Sequence, residues 1–273
     1  MNANLPSDTL DAVPALPADL RVDVSDGVAT VTIDRPHKRN ALTLALWRHL
    51  GATVTALGRR ADVRVIVITG TGASFCAGAD IAEFAEVRST EQKVIEYEAA
   101  FDGCCDAIEA VPKPTIAAIN GFCMGGGCNV AMACDFRFAV PGAQFSIPAA
   151  RLSIVYGTAG TRRLLALVGL SNAKRILYTA ERFDAHAALR MGFVDEVGDG
   201  LPALVGKSTA VLRDNAPLSI SGAKMILNGL AAGTGALQQH DVEEAVRYAA
   251  HSFDYAEGRA AFVEKRRPAF RGE

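Results

Sequence analysis

The first strong pattern in the chain is an alternation of apolar and polar residues from Leu20 to Ile33, interrupted by the pair Asp26-Gly27. A period of two is typical of half-buried strands, and Asp-Gly favours a two-residue hairpin turn. The pattern therefore predicts a β-hairpin. Residues 1–18, which contain three prolines and small polar residues, are expected to form a flexible leader.

The following segments alternate between helical and buried-strand patterns. Thr43 is placed to cap a helix whose apolar stripe comprises Trp47, Leu50, Val54 and Leu57. Residues 63–70, 115–119 and 135–140 are short runs rich in apolar residues, which predict buried strands. A helix followed by a buried strand indicates an α/β layered core.

Helical patterns dominate the second half of the chain. Two short helices are expected on either side of Gly169, and a third from a cap at Asp184 to a stop at Gly192. The pattern thus predicts one α/β core over residues 19–200 and a helical C-terminal region over 201–273. One helical stripe in that region must pack on another surface; it comprises Val242, Val246, Ala249 and Phe253.

Composition excludes several classes of function. The 273 residues are 50% apolar and carry a formal net charge of −2, without the basic patch that nucleic-acid binding requires. No run of eighteen apolar residues and no signal-peptide pattern occurs, so we expect a cytoplasmic protein that does not span a membrane. Six cysteines and five histidines lack metal-ligand spacing, which predicts reduced thiols and no metal site.

Two glycine-rich turns carry the candidate chemistry. Residues 70–81 (GTGASFCAGADI) and 120–132 (NGFCMGGGCNVAM) each follow a buried strand and lead toward a helix. Amides at such a place lack partners and favour negative charge, so one from each turn could form an oxyanion hole. Alternatively, both turns are ordinary loops. The first departs from the GxGxxG and P-loop spacings, which disfavours a nucleotide site.

Four segments in this order resemble the enoyl-CoA hydratase/isomerase (crotonase) superfamily: RPHKRNALT (35–43), GASFCAGADI (72–81), INGFCMGGGCNVAMACDFRFA (119–139) and EGRAAFVEKRRPAF (257–270). The resemblance implies a crotonase-like spiral core of ββα turns and C-terminal helices that assemble homotrimers, often doubled to hexamers. It also implies a coenzyme A thioester as substrate and no separate cofactor.

The resemblance assigns roles to residues of both glycine turns. Its oxyanion-hole amides correspond here to Ala79 and Gly126, where small side chains keep the approach open. Ala77, Asp80 and Ile81 are the expected substrate contacts around Ala79. Asp80 is alternatively an acidic residue that stabilises the first turn of a helix.

The family pattern breaks at two positions. The hydratases it resembles use two glutamates, where this chain has Asn129 and, after Pro148, Ala149. By the same resemblance, Asn129 and Ala149 are expected to contact the substrate. An amide can hold a water molecule but cannot take its proton, and alanine has no side-chain group that could bind water or transfer a proton. Ordinary hydration and isomerisation are therefore expected to be impaired. Decarboxylation or another C–C cleavage needs only a stabilised enolate and a proton donor, for which Tyr156 is the candidate; alternatively Tyr156 is a packing residue.

Two other functions remain open. The chain could bind acyl-CoA without turning it over, or it could hydrate enoyl-CoA with a water held by Asn129 and a carboxylate from elsewhere. For the CoA moiety, the resemblance points to His37, Lys38 and Arg39 at the phosphates. It points to Phe262 and Lys265 at the nucleotide, frequently from a neighbouring subunit. The alternative for both groups is ordinary solvated charge.

Overall fold

The computed structural model describes residues 15–233 and 235–273, so most of the predicted leader (1–18) lies outside the described residues. The strands are β1 (Leu20–Ser25), β2 (Val28–Ile33), β3 (Val65–Gly70), β4 (Ser74–Cys76), β5 (Thr115–Ile119), β6 (Phe122–Met124), β7 (Phe136–Ala139), β8 (Gln144–Ser146), β9 (Phe183–Asp184) and β10 (Glu196–Val197). The helices are α1 (Leu44–Arg59), α2 (Phe84–Val87), α3 (Glu91–Ala110), α4 (Gly126–Ala133), α5 (Thr158–Thr179), α6 (Ala185–Met191), α7 (Leu201–Asp214), α8 (Pro217–Ala232), α9 (Gln239–Ala250) and α10 (Phe253–Glu264).

The strands form two sheets stacked in a spiral. The larger sheet has the order β1-β2-β3-β5-β7-β10 and is parallel except for the β1–β2 hairpin. The smaller sheet has the order β4-β6-β8-β9. Each turn of the chain contributes one strand to each sheet and then helices: β3, β4, α2 and α3, then β5, β6 and α4, then β7, β8 and α5. This repeat confirms the predicted α/β fold with a ββα spiral core.

The hairpin closes at the predicted pair. Asp26 has φ 53° and Gly27 has φ 77°, the two positive values that a type I′ turn needs. Ser25 then pairs with Val28 across the turn. The alternation places Ala29, Val31 and Ile33 fully in the core, as the pattern predicts.

Helix α1 begins where its cap predicts. The Thr43 hydroxyl accepts a hydrogen bond from the amide of Leu46 at 3.2 Å, which satisfies one free donor of the first turn. Its predicted stripe is wholly buried, and α1 packs along α3, a helix of 20 residues that the sequence analysis does not identify. The hydroxyl of Tyr97 in α3 accepts a hydrogen bond from the Trp47 indole at 3.0 Å.

The C-terminal region is helical, as predicted. Helix α5 contains the expected interruption at Gly169, whose φ of 71° is not helical and marks a kink between its two halves. The predicted stripe on α9 and α10 is only partly covered within one chain, since Val246 is 61% and Phe253 is 43% exposed. Within residues 15–233 and 235–273, no helix is both long and apolar enough to cross a membrane.

Candidate active site

The two glycine turns meet backbone to backbone. A methyl group on Gly78, whose φ is 93°, would lie 2.7 Å from the Met124 carbonyl oxygen and 2.8 Å from the Gly126 nitrogen. A methyl group on Gly127 would lie 2.2 Å from the Cys76 carbonyl oxygen. No side chain fits at either position without moving the other turn. The glycines therefore let the start of α4 approach the first turn closely.

This contact leaves two backbone donors free. Leu42 donates to the Gly78 carbonyl at 2.7 Å and accepts from the Asp80 amide at 2.9 Å, so the amide of Ala79 between them faces away from Leu42. Gly126 is the first residue of α4, where amides have no partner inside the helix. Among the described residues, neither the Ala79 amide nor the Gly126 amide donates to a protein acceptor.

Both residues line one cavity, whose empty volume is about 780 Å³ with its open mouth included. Its outer wall comes from α2, α3 and the segment 147–157. This size and an apolar lining are usual for a small-molecule site. Six of the predicted site residues lie on its surface: Ala77, Ala79, Ile81, Gly126, Ala149 and Tyr156.

Asp80 turns away from the cavity. Its carboxylate accepts a hydrogen bond from the Arg35 guanidinium at 2.7 Å and another from the Ala82 amide at 3.1 Å. The bond to Arg35 holds the pKa of Asp80 below its ordinary value. Among the two readings of Asp80, the structure supports the capping residue and not a side chain that contacts substrate.

Asn129 lies behind the cavity wall instead of on it. The residue is 1% exposed and its Oδ1 has no hydrogen-bond partner within the described part of the chain. A methyl group on Gly160 would lie 2.8 Å from Asn129 Oδ1 and 2.7 Å from Tyr156 Cε1, so the amide packs close to the Tyr156 ring. The structure therefore does not place Asn129 on the cavity surface, where the resemblance implied a substrate contact.

Tyr156 presents a neutral phenol. Its hydroxyl is buried and finds no partner among the described side chains, a state that costs free energy unless a ligand or water bonds to it. Burial raises the pKa of Tyr156 well above 10, so the hydroxyl keeps its proton at neutral pH. The group can donate a hydrogen bond or a proton.

The predicted CoA contacts fall in two places. His37, Lys38 and Arg39 are exposed on the turn after β2, and the Ala77 amide donates to the Arg39 carbonyl at 3.0 Å, which ties this turn to the first glycine turn. Phe262 and Lys265 lie on and after α10. Phe262 is 85% exposed and borders a separate groove with α8 and α9, so one chain does not bring these residues to the cavity.

The cysteines offer no nucleophile to the cavity. All six are free and buried. Burial raises the pKa of Cys76, beside the first glycine turn, to about 12, so its thiol stays protonated at neutral pH. Across the described ranges, no three His, Cys, Asp or Glu side chains group in a way that could hold a metal ion.

The wall that α2 and α3 supply is not apparent from the sequence. Five of its side chains come from residues 84–101, and the only local signal is an apolar spacing of four between Tyr97 and Phe101. The guanidinium of Arg88 also reaches the cavity from the end of α2. These five side chains are Phe84, Arg88, Tyr97, Glu98 and Phe101.

Comparison with known proteins agrees with this fold. Residues 23–273 match the sequence profile of the family described as enoyl-CoA hydratase/isomerase. A crotonyl-CoA hydratase of Syntrophomonas wolfei is 37% identical over 259 residues, which cover 91% of this chain and 96% of the relative. A short-chain-enoyl-CoA hydratase of Clostridium acetobutylicum is 34% identical over 251 residues, which cover 88% of this chain and 92% of the relative.

A crystal structure of an enoyl-CoA hydratase from Bacillus anthracis is similar with a TM-score of 0.84 and 33% identity. The match covers 93% of this chain and all of that one. The fold, the two meeting glycine turns and these relatives define a protein of the crotonase class. The chain belongs to the enoyl-CoA hydratase/isomerase family.

Proposed function

We propose that the protein is an acyl-CoA enzyme that stabilises a thioester enolate between the backbone amides of Ala79 and Gly126. The observation that carries this proposal is that these two amides lie on the surface of one apolar cavity and have no partner among the described residues. Donors fixed in the backbone need no rearrangement as charge develops on the thioester oxygen. Each such donor is typically worth about 3–4 kcal/mol in the transition state.

The side chains around this oxygen favour loss of CO₂ over addition of water. Ala149 has no proton-handling group, and Asn129 is buried outside the cavity lining. Hydration needs a base to activate water and an acid to protonate C2. Losing one such group typically costs about 10²- to 10⁴-fold in rate. Decarboxylation requires no base.

In the proposed reaction, the bond between C2 and a carboxylate carbon breaks and CO₂ leaves. The electron pair passes to C2 and onto the thioester oxygen, where the amides of Ala79 and Gly126 stabilise the charge. The Tyr156 hydroxyl, which is buried in the structure, must turn toward the cavity to protonate C2, and it then regains its proton from water. A thioester enolate is a far stronger base at carbon than a phenolate, so a phenol with a raised pKa still serves as donor.

The CoA moiety is expected to reach the exposed turn that holds His37, Lys38 and Arg39, which adjoins the first glycine turn. Phe262 and Lys265 would contact the nucleotide across a subunit interface, since they lie away from the cavity of their own chain. This arrangement requires an assembly of more than one chain, for which we propose a homotrimer or a hexamer built from two trimers. The partly covered stripe of α9 and α10 supports such an assembly.

Two alternatives have specific support. Hydration is favoured by the names of the relatives, which include a crotonyl-CoA hydratase and a short-chain-enoyl-CoA hydratase. Binding of acyl-CoA without turnover is favoured by the absence of a carboxylate at both Asn129 and Ala149.

One assay separates the three functions. The purified protein is incubated with malonyl-CoA, methylmalonyl-CoA and crotonyl-CoA, and products are identified by mass. Loss of CO₂ from a carboxylated thioester supports the proposal. Addition of water to crotonyl-CoA alone supports hydration, and binding without products supports the non-catalytic alternative.

A matched pair of variants then tests the donor itself. Gly126→Pro removes the amide hydrogen at the first helical position, where proline is tolerated, whereas Gly126→Ala adds a Cβ of the same placement and keeps the hydrogen. We expect turnover by the proline variant to fall about 10²- to 10³-fold below that of the alanine variant. Equal turnover by two folded variants would contradict the proposed role of Gly126.

A further inference from the structure

Two charged side chains stand on the otherwise apolar wall of the cavity. Of the described residues that line it, only Arg88 and Glu98 carry a charge at neutral pH. Arg88 directly follows α2 and Glu98 lies in the second turn of α3, so both belong to the outer wall. The Arg88 Nη1 donates to Glu98 Oε1 at 2.6 Å.

The guanidinium of Arg88 is held in place by aromatic rings. Its Cζ lies 5.1 Å from the Phe84 ring centre and 5.2 Å from the Tyr97 ring centre. The two rings contact each other edge to face at 5.5 Å, and the Tyr97 hydroxyl is fixed by the Trp47 indole. Because the Arg88 side chain is already ordered, a ligand that binds to it costs little additional conformational entropy, which favours binding.

The pair retains unused donor and acceptor groups. A guanidinium has five N–H donors, and within the described part of the chain only one of those of Arg88 is used. Glu98 Oε2 likewise accepts no hydrogen bond from a described residue. A ligand group that both accepts and donates would satisfy the two side chains at once.

A hydrocarbon chain in contact with this wall would displace water from the two charged groups without forming a hydrogen bond to either of them. A carboxylate would accept from Arg88 but would meet the negative charge of Glu98. A hydroxyl accepts from the guanidinium and donates to the carboxylate. We propose that Arg88 and Glu98 select an acyl-CoA whose chain carries a hydroxyl group beyond C3.

This inference rests on the proposed function only in that an acyl-CoA occupies the cavity. It concerns the acyl chain, and the thioester carbonyl stays at Ala79 and Gly126. Both Arg88 and Glu98 are positioned to determine specificity and take no part in bond breaking. A hydrogen bond to a charged group contributes roughly 1.5–3 kcal/mol, so a preference of about 10- to 100-fold in Kd is expected.

The test measures binding of eight-carbon thioesters to the full-length protein by calorimetry. The set comprises octanoyl-CoA, its 5-, 6-, 7- and 8-hydroxy derivatives, and the thioester with a terminal carboxylate. At least one hydroxy derivative is expected to bind 10-fold or more tightly than octanoyl-CoA. That preference should fall below about threefold in Arg88→Met and in the isosteric Glu98→Gln, whereas octanoyl-CoA should bind each variant at least as tightly.

Arg48→Met serves as the control, because it removes the same charge from the exposed face of α1 and should leave the preference unchanged. Thermal melting of each variant verifies folding. Equal affinity for octanoyl-CoA and all hydroxy derivatives would overturn the inference and leave the proposed function standing. Tighter binding of the carboxylated thioester would also overturn it, as would failure of every eight-carbon thioester to bind. The proposed function would be refuted only if malonyl-CoA and methylmalonyl-CoA also failed to bind.

Discussion

Gly78 and Gly126 are in backbone contact, so close that a methyl group on Gly78 would lie 2.8 Å from the Gly126 nitrogen. Gly78 directly precedes Ala79, and Gly126 begins α4. The same contact therefore fixes the relative placement of the two amides proposed to bind the thioester oxygen. Stability of the core and geometry of the site depend on one pair of glycines.

Gly78→Ala should lower both the stability of the core and the activity of the site. The new Cβ must be placed at φ 93°, a region that L-residues rarely adopt, and against the Met124 carbonyl. We expect a loss of about 2–4 kcal/mol in unfolding free energy, from strain and displaced backbone together, and at least a 10-fold drop in turnover.

Gly103→Ala is the matched control, since Gly103 is exposed in α3 with no atom within 4 Å of the added Cβ. The same substitution there should stabilise the protein by about 0.5–1 kcal/mol. Urea unfolding measures both variants. A Gly78→Ala protein as stable and as active as the wild type would show that the two turns are not in tight contact.

Tyr156→Phe should lower turnover while leaving the unfolding free energy nearly unchanged. The buried hydroxyl has no partner in the described structure, so its removal should change the unfolding free energy by less than about 1 kcal/mol and could increase it. If the phenol is the proton donor, turnover should fall by about 10²- to 10⁴-fold. Burial raises the Tyr156 pKa, so the wild type should keep this donor protonated beyond pH 10. Unchanged turnover would assign Tyr156 to packing alone.

Asp80→Asn should weaken the fold in a pH-dependent manner. The bond from Arg35 lowers the Asp80 pKa, so the folded state binds fewer protons at this group than the unfolded state. The stability it contributes is present above the unfolded pKa of about 4 and is lost as pH falls through the lowered folded value. We expect Asp80→Asn to cost about 1–3 kcal/mol at pH 7 and clearly less at pH 3.

Asparagine can still accept a hydrogen bond from the Ala82 amide. The difference between the costs of the substitution at pH 7 and at pH 3 therefore reports the contribution of the Asp80 charge. Urea unfolding of both proteins at pH 7 and pH 3 provides the measurement. An equal cost at both pH values would show that the Arg35 pair does not contribute.

The chain should assemble through the apolar stripe of α9 and α10. Val246 is 61% exposed in the single chain, so an interface must cover it if the homotrimer forms. Sedimentation of the wild type should give three or six chain masses, and Val246→Asp should give mainly monomer. Gln239→Asp, which adds the same charge to an exposed position of α9, should leave the assembly intact. A monomeric wild type at micromolar concentration would contradict this expectation.

Local patterns were enough to predict the elements that position the site. The Asp26-Gly27 turn, the Thr43 cap and the glycine turns each depend on the conformational preferences of a few adjacent residues. Three-residue strands such as β4 and β6 are too short to produce a readable period, so the smaller sheet was not predicted.

Side-chain directions at the site depend on distant packing, which a single sequence does not specify. Asp80 faces Arg35, 45 positions earlier, and Asn129 lies against Tyr156 because Gly160 leaves room for both. Arg88 and Glu98 reach the cavity only through the docking of α2 and α3 on the core. The resemblance located the loops, but it could not show which side chains face the acyl group.

The most direct test of the central claim is a crystal structure with a bound, unreactive acyl-CoA analogue. The thioester carbonyl oxygen is predicted to lie about 2.7–3.1 Å from the backbone nitrogens of both Ala79 and Gly126. An oxygen bound elsewhere in the cavity, or more than about 4 Å from either nitrogen, would contradict enolate stabilisation at these two amides.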